Sequence, residues 1–158
     1  MKKKINLLIG VLLFFLIASC GFKIIDQSEL KNFKIQDIIV TGEKKINYKL
    51  KNKLLSKSNK KNSRSIIIEL VTNKVKSVNE KNIKNEITKY QLEITVNIKF
   101  YEKTNKIPNN FTIVDSGNYL VSEKYSQTLN NENKLIEIIA DRIANNITNN
   151  LIQKFNDL

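Results

Sequence analysis

A regular alternation of apolar and polar residues within the segment 87–101 constrains the fold of this chain more than any other feature. Every second residue from Tyr90 to Phe100 is apolar, and the residues between them are polar. Because successive side chains of a β-strand point to opposite faces, this pattern predicts one long strand with a buried face and a solvent-exposed face. The apolar positions are Tyr90, Leu92, Ile94, Val96, Ile98 and Phe100, and the polar ones are Gln91, Glu93, Thr95, Asn97 and Lys99.

Two amphipathic segments predict the helices that would cover the apolar face. Apolar residues recur every fourth position from 46 to 54 and again from 135 to 151, which places them on one side of a helix. We expect Asn130 or Asn131 to cap the second helix, and the helix to end near Phe155. The stripes are Ile46, Leu50 and Leu54 within a first helix over 44–58, and Leu135, Ile139, Ile143, Ile147 and Leu151 in the second.

The remaining segments read as strands and turns. Pro108 with Asn109-Asn110 predicts a turn, and Ser116-Gly117 predicts either a bulge or a plain loop between two strands. The further strands are expected at 33–40, at 65–75, and at 111–114 continuing through 119–126. The order strand, helix, three strands, helix predicts an α+β fold: a two-layer sandwich of an about four-stranded, mostly antiparallel sheet with two helices packed on one face.

The first twenty residues have the pattern of a bacterial lipoprotein signal. Three lysines at 2–4 precede an apolar stretch from Leu7 to Ile17, and the small residues Ala18-Ser19 stand before Cys20. We expect cleavage before Cys20 and lipidation of its thiol, which would anchor the protein to a membrane through its acyl chains.

This signal divides the chain into three parts. Residues 1–19 form the cleaved signal peptide, 20–32 a lipid-anchored tether, and 33–158 a single α+β domain. Gly21 stands where an Asp would mark retention in the inner membrane. We therefore expect the protein at the periplasmic side of the outer membrane.

Composition narrows the possible functions. The chain has no histidine and a single cysteine, which excludes imidazole-based catalysis and a disulfide framework. The spacing of the other polar residues indicates no catalytic or metal-binding site. We therefore expect a protein that is not an enzyme and has no cofactor. The export signal and the lack of a basic run with interleaved aromatics disfavour nucleic acid as a partner.

The net charge of +12 allows two interpretations. A row of lysines on the first helix, with the basic residues after it, is suited to bind the phosphates of lipopolysaccharide. The alternative is an ordinary solvated basic face in a chain rich in Lys, Asn and Ile. The candidate residues are Lys49, Lys53, Lys57, Lys60, Lys61 and Arg64. The solvent-exposed face of the long strand, with Gln91, Thr95 and Asn97, likewise allows two interpretations: a surface that docks another protein, or an ordinary solvated sheet face.

Three short motifs mark the start of the mature chain and its carboxyl-terminal third. They are Cys20-Gly21-Phe22-Lys23, the stretch DSGNYLVSEKYSQT at 115–128, and Ala140-Asp141-Arg142-Ile143-Ala144. In these motifs and in the order of its elements, the chain resembles the lipopolysaccharide-assembly lipoprotein LptE family, especially the alphaproteobacterial type. It departs from the family where Ile24-Ile25-Asp26 replaces a turn with proline or glycine, and its last helix is rich in Asn instead of Arg and Ala.

The resemblance implies a two-helix, four-strand sandwich that plugs an LptD-like outer-membrane β-barrel. There it would assist assembly of the barrel and the transport of lipopolysaccharide to the outer leaflet. Two other functions remain open: an auxiliary lipoprotein subunit of a lipid-transporting ABC system, and a cell-wall hydrolase or its activator.

Overall fold

The computed structural model describes residues 33–58, 64–105 and 107–156. The predicted signal peptide, Cys20, the tether, Lys60 and Lys61 lie outside the described residues. The elements are β1 (Lys34–Gly42), α1 (Lys44–Lys57), β2 (Ser65–Lys81), β3 (Ile87–Glu102), β4 (Asn109–Leu120) and α2 (Tyr125–Asn156). This order confirms the predicted α+β fold.

The four strands lie in the sheet in the order in which they follow along the chain. β1 pairs with β2 in parallel, because α1 carries the chain back over the sheet between them. β2, β3 and β4 pair antiparallel. The sheet is therefore mixed, with one parallel pairing in the mostly antiparallel arrangement that the sequence predicts.

The core lies between one face of the sheet and the two helices. The alternating stripe of β3 is its centre, since Leu92, Ile94 and Val96 are completely buried. Burying a side chain of this size stabilises a fold by about 1.5–3 kcal/mol. The helices contribute Ile46, Leu50, Leu54, Ile136, Ile139, Ile143, Ile147 and Leu151, and β2 contributes Ile66, Ile68 and Leu70.

A buried polar corner joins β1 to α1. Gly42 has a φ of 97°, a conformation that residues with a Cβ rarely adopt, and it turns the chain out of β1. The Thr72 hydroxyl accepts a hydrogen bond from the Glu43 amide at 3.0 Å and donates one to the side-chain oxygen of Asn47 at 2.9 Å. Glu43 makes no side-chain cap, and Thr72 on β2 satisfies one of the free amides at this helix terminus instead.

The predicted start of the last helix is wrong. α2 begins at Tyr125, so the preceding strand ends at Leu120 and not at 126, and Asn130 and Asn131 lie inside the helix. The Thr128 hydroxyl accepts a hydrogen bond from the Ser122 amide at 2.9 Å, which closes the turn before the first helical residues. The predicted end near Phe155 is confirmed to within one residue.

Three further predictions also need correction. β4 is continuous through Ser116-Gly117, so this dipeptide is neither a bulge nor a loop. A Cβ on Gly117 would lie 2.7 Å from Leu135 Cδ1, which shows that the glycine lets α2 approach the strand closely. Asn109 and Asn110 begin β4 and are not in a turn, and β2 continues to Lys81 because its pairing with β3 extends that far.

Candidate functional site

The face of the sheet opposite the helices carries no other element among the described residues, and we call it the open face. Its side chains form rows that cross β2, β3 and β4 in register. The rows are Val71–Asn97–Thr112, Asn73–Thr95–Val114, Val75–Glu93–Ser116 and Ser77–Gln91–Asn118.

The centre of the open face is almost free of charge. Amide and hydroxyl groups dominate, and the Thr112 hydroxyl donates a hydrogen bond to the Asn97 side chain at 2.8 Å. Val71, Val75 and Val114 stand among them, each about half exposed. Such a surface offers hydrogen bonds and small apolar contacts over several strands without the desolvation cost of charged groups. It can therefore pack against another protein.

The predicted phosphate-binding lysines lie on the other side of the molecule, along the seam between the helices. Lys49 Nζ donates to Glu137 at 2.6 Å, and Lys53 Nζ donates to Asp141. The series continues at both ends, where Lys45 binds Asn133 and Lys57 binds Asn145. Because both helices contribute every fourth residue in the same order, α1 and α2 run parallel, and we call these four pairs the interhelical ladder.

Two lysines of the ladder already have acidic partners. The hydrogen bond and the charge of Lys49 lower the pKa of Glu137. Burial lowers the pKa of Lys57, and nearby Lys53 adds to this, although Asp141 opposes it. A phosphate would have to compete with the carboxylates for Lys49 and Lys53, so their role in binding lipopolysaccharide stays a prediction. Arg64, the other described candidate, pairs with Glu102 at 2.8 Å.

A polar cluster that the sequence does not predict lies where the apolar core ends. Glu132 of α2 accepts a hydrogen bond from the Tyr119 hydroxyl at 2.9 Å and pairs with Lys74 at 3.4 Å and Lys76 at 3.3 Å. Lys76 Nζ also lies 4.0 Å from the ring centre of Tyr90, a cation–π contact. Lys74 and Lys76 continue the buried parity of β2, which is the signal that could have revealed them.

The same cluster carries opposing pKa effects. Burial tends to raise the pKa of Glu132, but the hydrogen bond from Tyr119 and the charges of Lys76 and Lys74 outweigh it and lower the pKa. Burial raises the pKa of Tyr119, and Glu132 adds to this. Burial tends to lower the pKa of Lys76, but Tyr119 and Glu132 outweigh it and raise the pKa. The cluster therefore holds a carboxylate and an ammonium group in their charged forms, and it pins the first turns of α2 to the sheet.

A cavity of about 610 Å³ opens at the opposite end of the sheet, where β4 begins. Asn109, Asn150 and Gln153 contribute amide groups to its wall, and Phe100 and Ile107 contribute apolar surface.

Two further observations concern the described residues only. Neither helix combines the length and the apolar character that a membrane crossing requires. No three Asp, Glu, His or Cys side chains come together there in a group that could hold a metal ion.

The fold matches solved structures over most of both chains. Rare lipoprotein B from Shewanella oneidensis superposes with a TM-score of 0.58 at 12% sequence identity, covering 77% of this chain and 97% of that chain. A candidate lipoprotein from Caulobacter crescentus CB15 gives a TM-score of 0.57 at 16% identity, covering 83% and 95%. At these identities the likeness shows a shared fold. No family model and no curated protein matches the sequence.

Proposed function

We propose that this protein is an outer-membrane lipoprotein, anchored through Cys20, that plugs an LptD-like β-barrel, assists its assembly and takes part in lipopolysaccharide transport to the outer leaflet. We further propose that it acts by binding and not by catalysis. The observation that carries the proposal is the α+β fold shared with rare lipoprotein B over nearly the whole of that chain. The lipoprotein signal and the motifs at 115–128 and 140–144 point in the same direction.

The two faces of the sheet explain how such a plug would work. The helices and the apolar face make a rigid core that needs no partner for its own burial. The open face is then available to contact the polar wall of a barrel lumen, and its uncharged amides and hydroxyls can exchange water for barrel groups at small cost.

The test is recovery of the barrel with the tagged, lipidated full chain from detergent-solubilised outer membranes. We expect Thr95→Arg, in the middle of the open face, to lower the recovery of the barrel at least tenfold. The bulky charge would hold the wall away from Val114 and Asn73, its neighbours across the strands. Asn52→Arg, at an exposed position of α1, adds the same charge and is expected to leave recovery unchanged.

The outcomes separate the candidate functions. A near-stoichiometric barrel that survives high salt and is lost with Thr95→Arg supports the plug. Recovery of an ABC permease or a soluble lipid shuttle in place of a barrel supports the auxiliary subunit. Equal recovery of the barrel with both arginine variants, each confirmed as folded by circular dichroism, contradicts docking through the open face.

A further inference from the structure

The two edges of the sheet differ in how their backbone groups are satisfied. On β1, the free edge is covered by side chains: the amide of Ile35 donates to Ser58 Oγ at 2.8 Å, and that of Ile38 donates to Asp37 Oδ1 at 2.7 Å. Lys51 Nζ donates to the Ile38 carbonyl at 2.9 Å. An irregularity between Ile35 and Asp37 interrupts this edge further. Such devices keep other strands from pairing with an edge.

On β4 the direction of the backbone groups follows from three hydrogen bonds. The amide of Val121 donates to the carbonyl of Thr88, the residue before Lys89 on β3, so the backbone groups of odd-numbered β4 residues point toward β3. The carbonyls of Ser116 and Leu120 accept from the side chains of Arg142 and Asn131 on α2, so the backbone groups of even-numbered β4 residues point away from β3. Both backbone groups of a strand residue point to the same side.

This parity leaves the first half of the β4 edge open. Asn110, Thr112 and Val114 direct their amides and carbonyls away from β3, and these groups have no partner among the described residues. α2 covers the later half of the edge through Arg142, which binds Ser116 at 3.1 Å, but makes no such contact with the earlier half. We call residues 110–114 the open edge.

The open edge also lacks the charged residues that usually protect an exposed strand. The sequence from Ile107 to Val114 has no charged side chain. The surroundings are rich in amides: Asn146 follows Arg142 by one helical turn, and Asn150 and Gln153 line the cavity that opens beside Asn109. Amide side chains both donate and accept, as peptide groups do. The ligand that fits this chemistry is an extended polypeptide without charges along the paired stretch.

We propose that the open edge of β4 receives an extended, uncharged segment of the outer-membrane barrel as a fifth strand of the sheet. The inference rests on the proposed function, because it adds the edge of the sheet to the open face as a place where that partner binds. Main-chain hydrogen bonds to Asn110, Thr112 and Val114 provide the pairing, a recognition mode known as β-augmentation. A second copy of this chain is a poorer occupant, since two molecules that each carry a large net positive charge repel each other.

The test removes one outward amide. Asn110→Pro eliminates the amide of Asn110 without touching the ladder to β3, and proline is tolerated where a strand amide faces solvent. Leu120→Pro removes an outward amide of the same strand at the end that α2 covers, so it is the matched control. We expect Asn110→Pro to weaken binding of the purified, lipidated protein to the barrel at least tenfold and Leu120→Pro to leave it within twofold.

Hydrogen exchange of the unmodified protein gives a second measurement that needs no variant. The amides of Asn110, Thr112 and Val114 are expected to exchange quickly in the free protein and at least tenfold more slowly in the barrel complex. Those of Phe111 and Ile113, which face β3, are expected to be protected in both states.

Each outcome supports or overturns the inference. Barrel binding that is equal for both variants, with fast exchange at the three amides in the complex, overturns it and leaves the proposed function standing. Protection that appears in the free protein as its concentration rises assigns the edge to a second copy and also overturns it. Failure to recover any barrel with the wild type overturns the proposed function, and the inference with it.

Discussion

Gly42 shows how a single residue determines the path of the chain. Its φ of 97° brings the backbone against β2 so closely that an added Cβ would overlap the carbonyl oxygen of Thr72. The obstacle is backbone within a paired strand, which has little freedom to move. Gly117 is different, because its neighbour is a terminal methyl group of Leu135 that can rotate away.

We expect Gly42→Ala to lower the free energy of unfolding by more than about 1–2 kcal/mol, the cost of a left-handed conformation for a residue with a Cβ. The overlap with Thr72 adds to this cost. Gly117→Ala is the matched control, and its loss is expected to be smaller. Urea denaturation of both variants measures the difference, and equal losses would contradict the assigned obstacle at Gly42.

Glu132 makes stability depend on pH. Its pKa is lowered in the folded protein, so its ion pairs stabilise the fold above the ordinary carboxyl range and are lost as the pH falls through the folded pKa. We expect the melting temperature to decline below about pH 4.5. In Glu132→Gln the decline should be shallower, although Glu80 and Glu137, whose pKa values are also lowered, preserve part of it. If the melting temperatures of the two proteins fall in parallel when plotted against pH from 7 to 3, this role of Glu132 is contradicted.

At the scale of residues, the sequence predicts the buried positions of β3 well, because apolar alternation reports burial directly. It does not predict the cluster around Glu132. Lys74 and Lys76 have the parity of buried residues but the chemistry of exposed ones, so composition and periodicity give opposite answers. Glu132 on α2 resolves the conflict, because its carboxylate pairs with both lysines from 58 residues beyond Lys74 and 56 residues beyond Lys76.

Among the elements, the two helices depend on each other through the interhelical ladder. Six lysines and no acidic residue occur in α1, so its own charges repel one another at spacings of four residues. The carboxylates of Glu137 and Asp141 on α2 offset this repulsion. Charge on α1 is thus a structural feature of the helix pair, whatever else it binds.

We expect Lys49→Glu/Lys53→Glu to lower the melting temperature, because it places like charges opposite Glu137 and Asp141. Adding Glu137→Lys/Asp141→Lys exchanges the two signs and is expected to restore most of the loss. Thermal melts at low and high salt provide the measurement, and the difference between the variants should shrink as salt screens it. A double variant as stable as the wild type would contradict the ladder.

The elements themselves were largely predictable, and their ends were not. Stripes of apolar residues at spacings of two and four identify β3 and both helices. The beginning of α2 was missed because residues 125–129 share the polar and aromatic composition of an edge strand. The hydrogen bond between Thr128 and Ser122 that decides the matter is a tertiary feature of the turn. For the same reason the sequence wrongly predicts a break in β4 at Gly117, because the role of this glycine depends on the approach of α2.

For the whole molecule, one sheet serves two different purposes on its two faces. The inner face holds the domain together, and the open face and open edge leave hydrogen-bonding groups exposed, which the proposed function assigns to a partner. The alternation along β3 predicts the inner face from its apolar positions, and it predicts three residues of the open face, Gln91, Thr95 and Asn97, from its polar ones. It could not indicate the open edge, because which strand lies at an edge and which of its groups are covered depend on the pairing of the entire sheet.

The parallel pairing of β1 with β2 has a mechanical consequence. The pairs run from Lys34 with Ser65 to Gly42 with Thr72, and the chain enters β1 at the end where these pairs begin. A pull on the chain before Lys34 along the axis of β1 loads the hydrogen bonds across the two strands together in shear, so they do not peel apart one at a time. The first residue of the domain thus lies at the end from which a pull along the strand meets the most resistance.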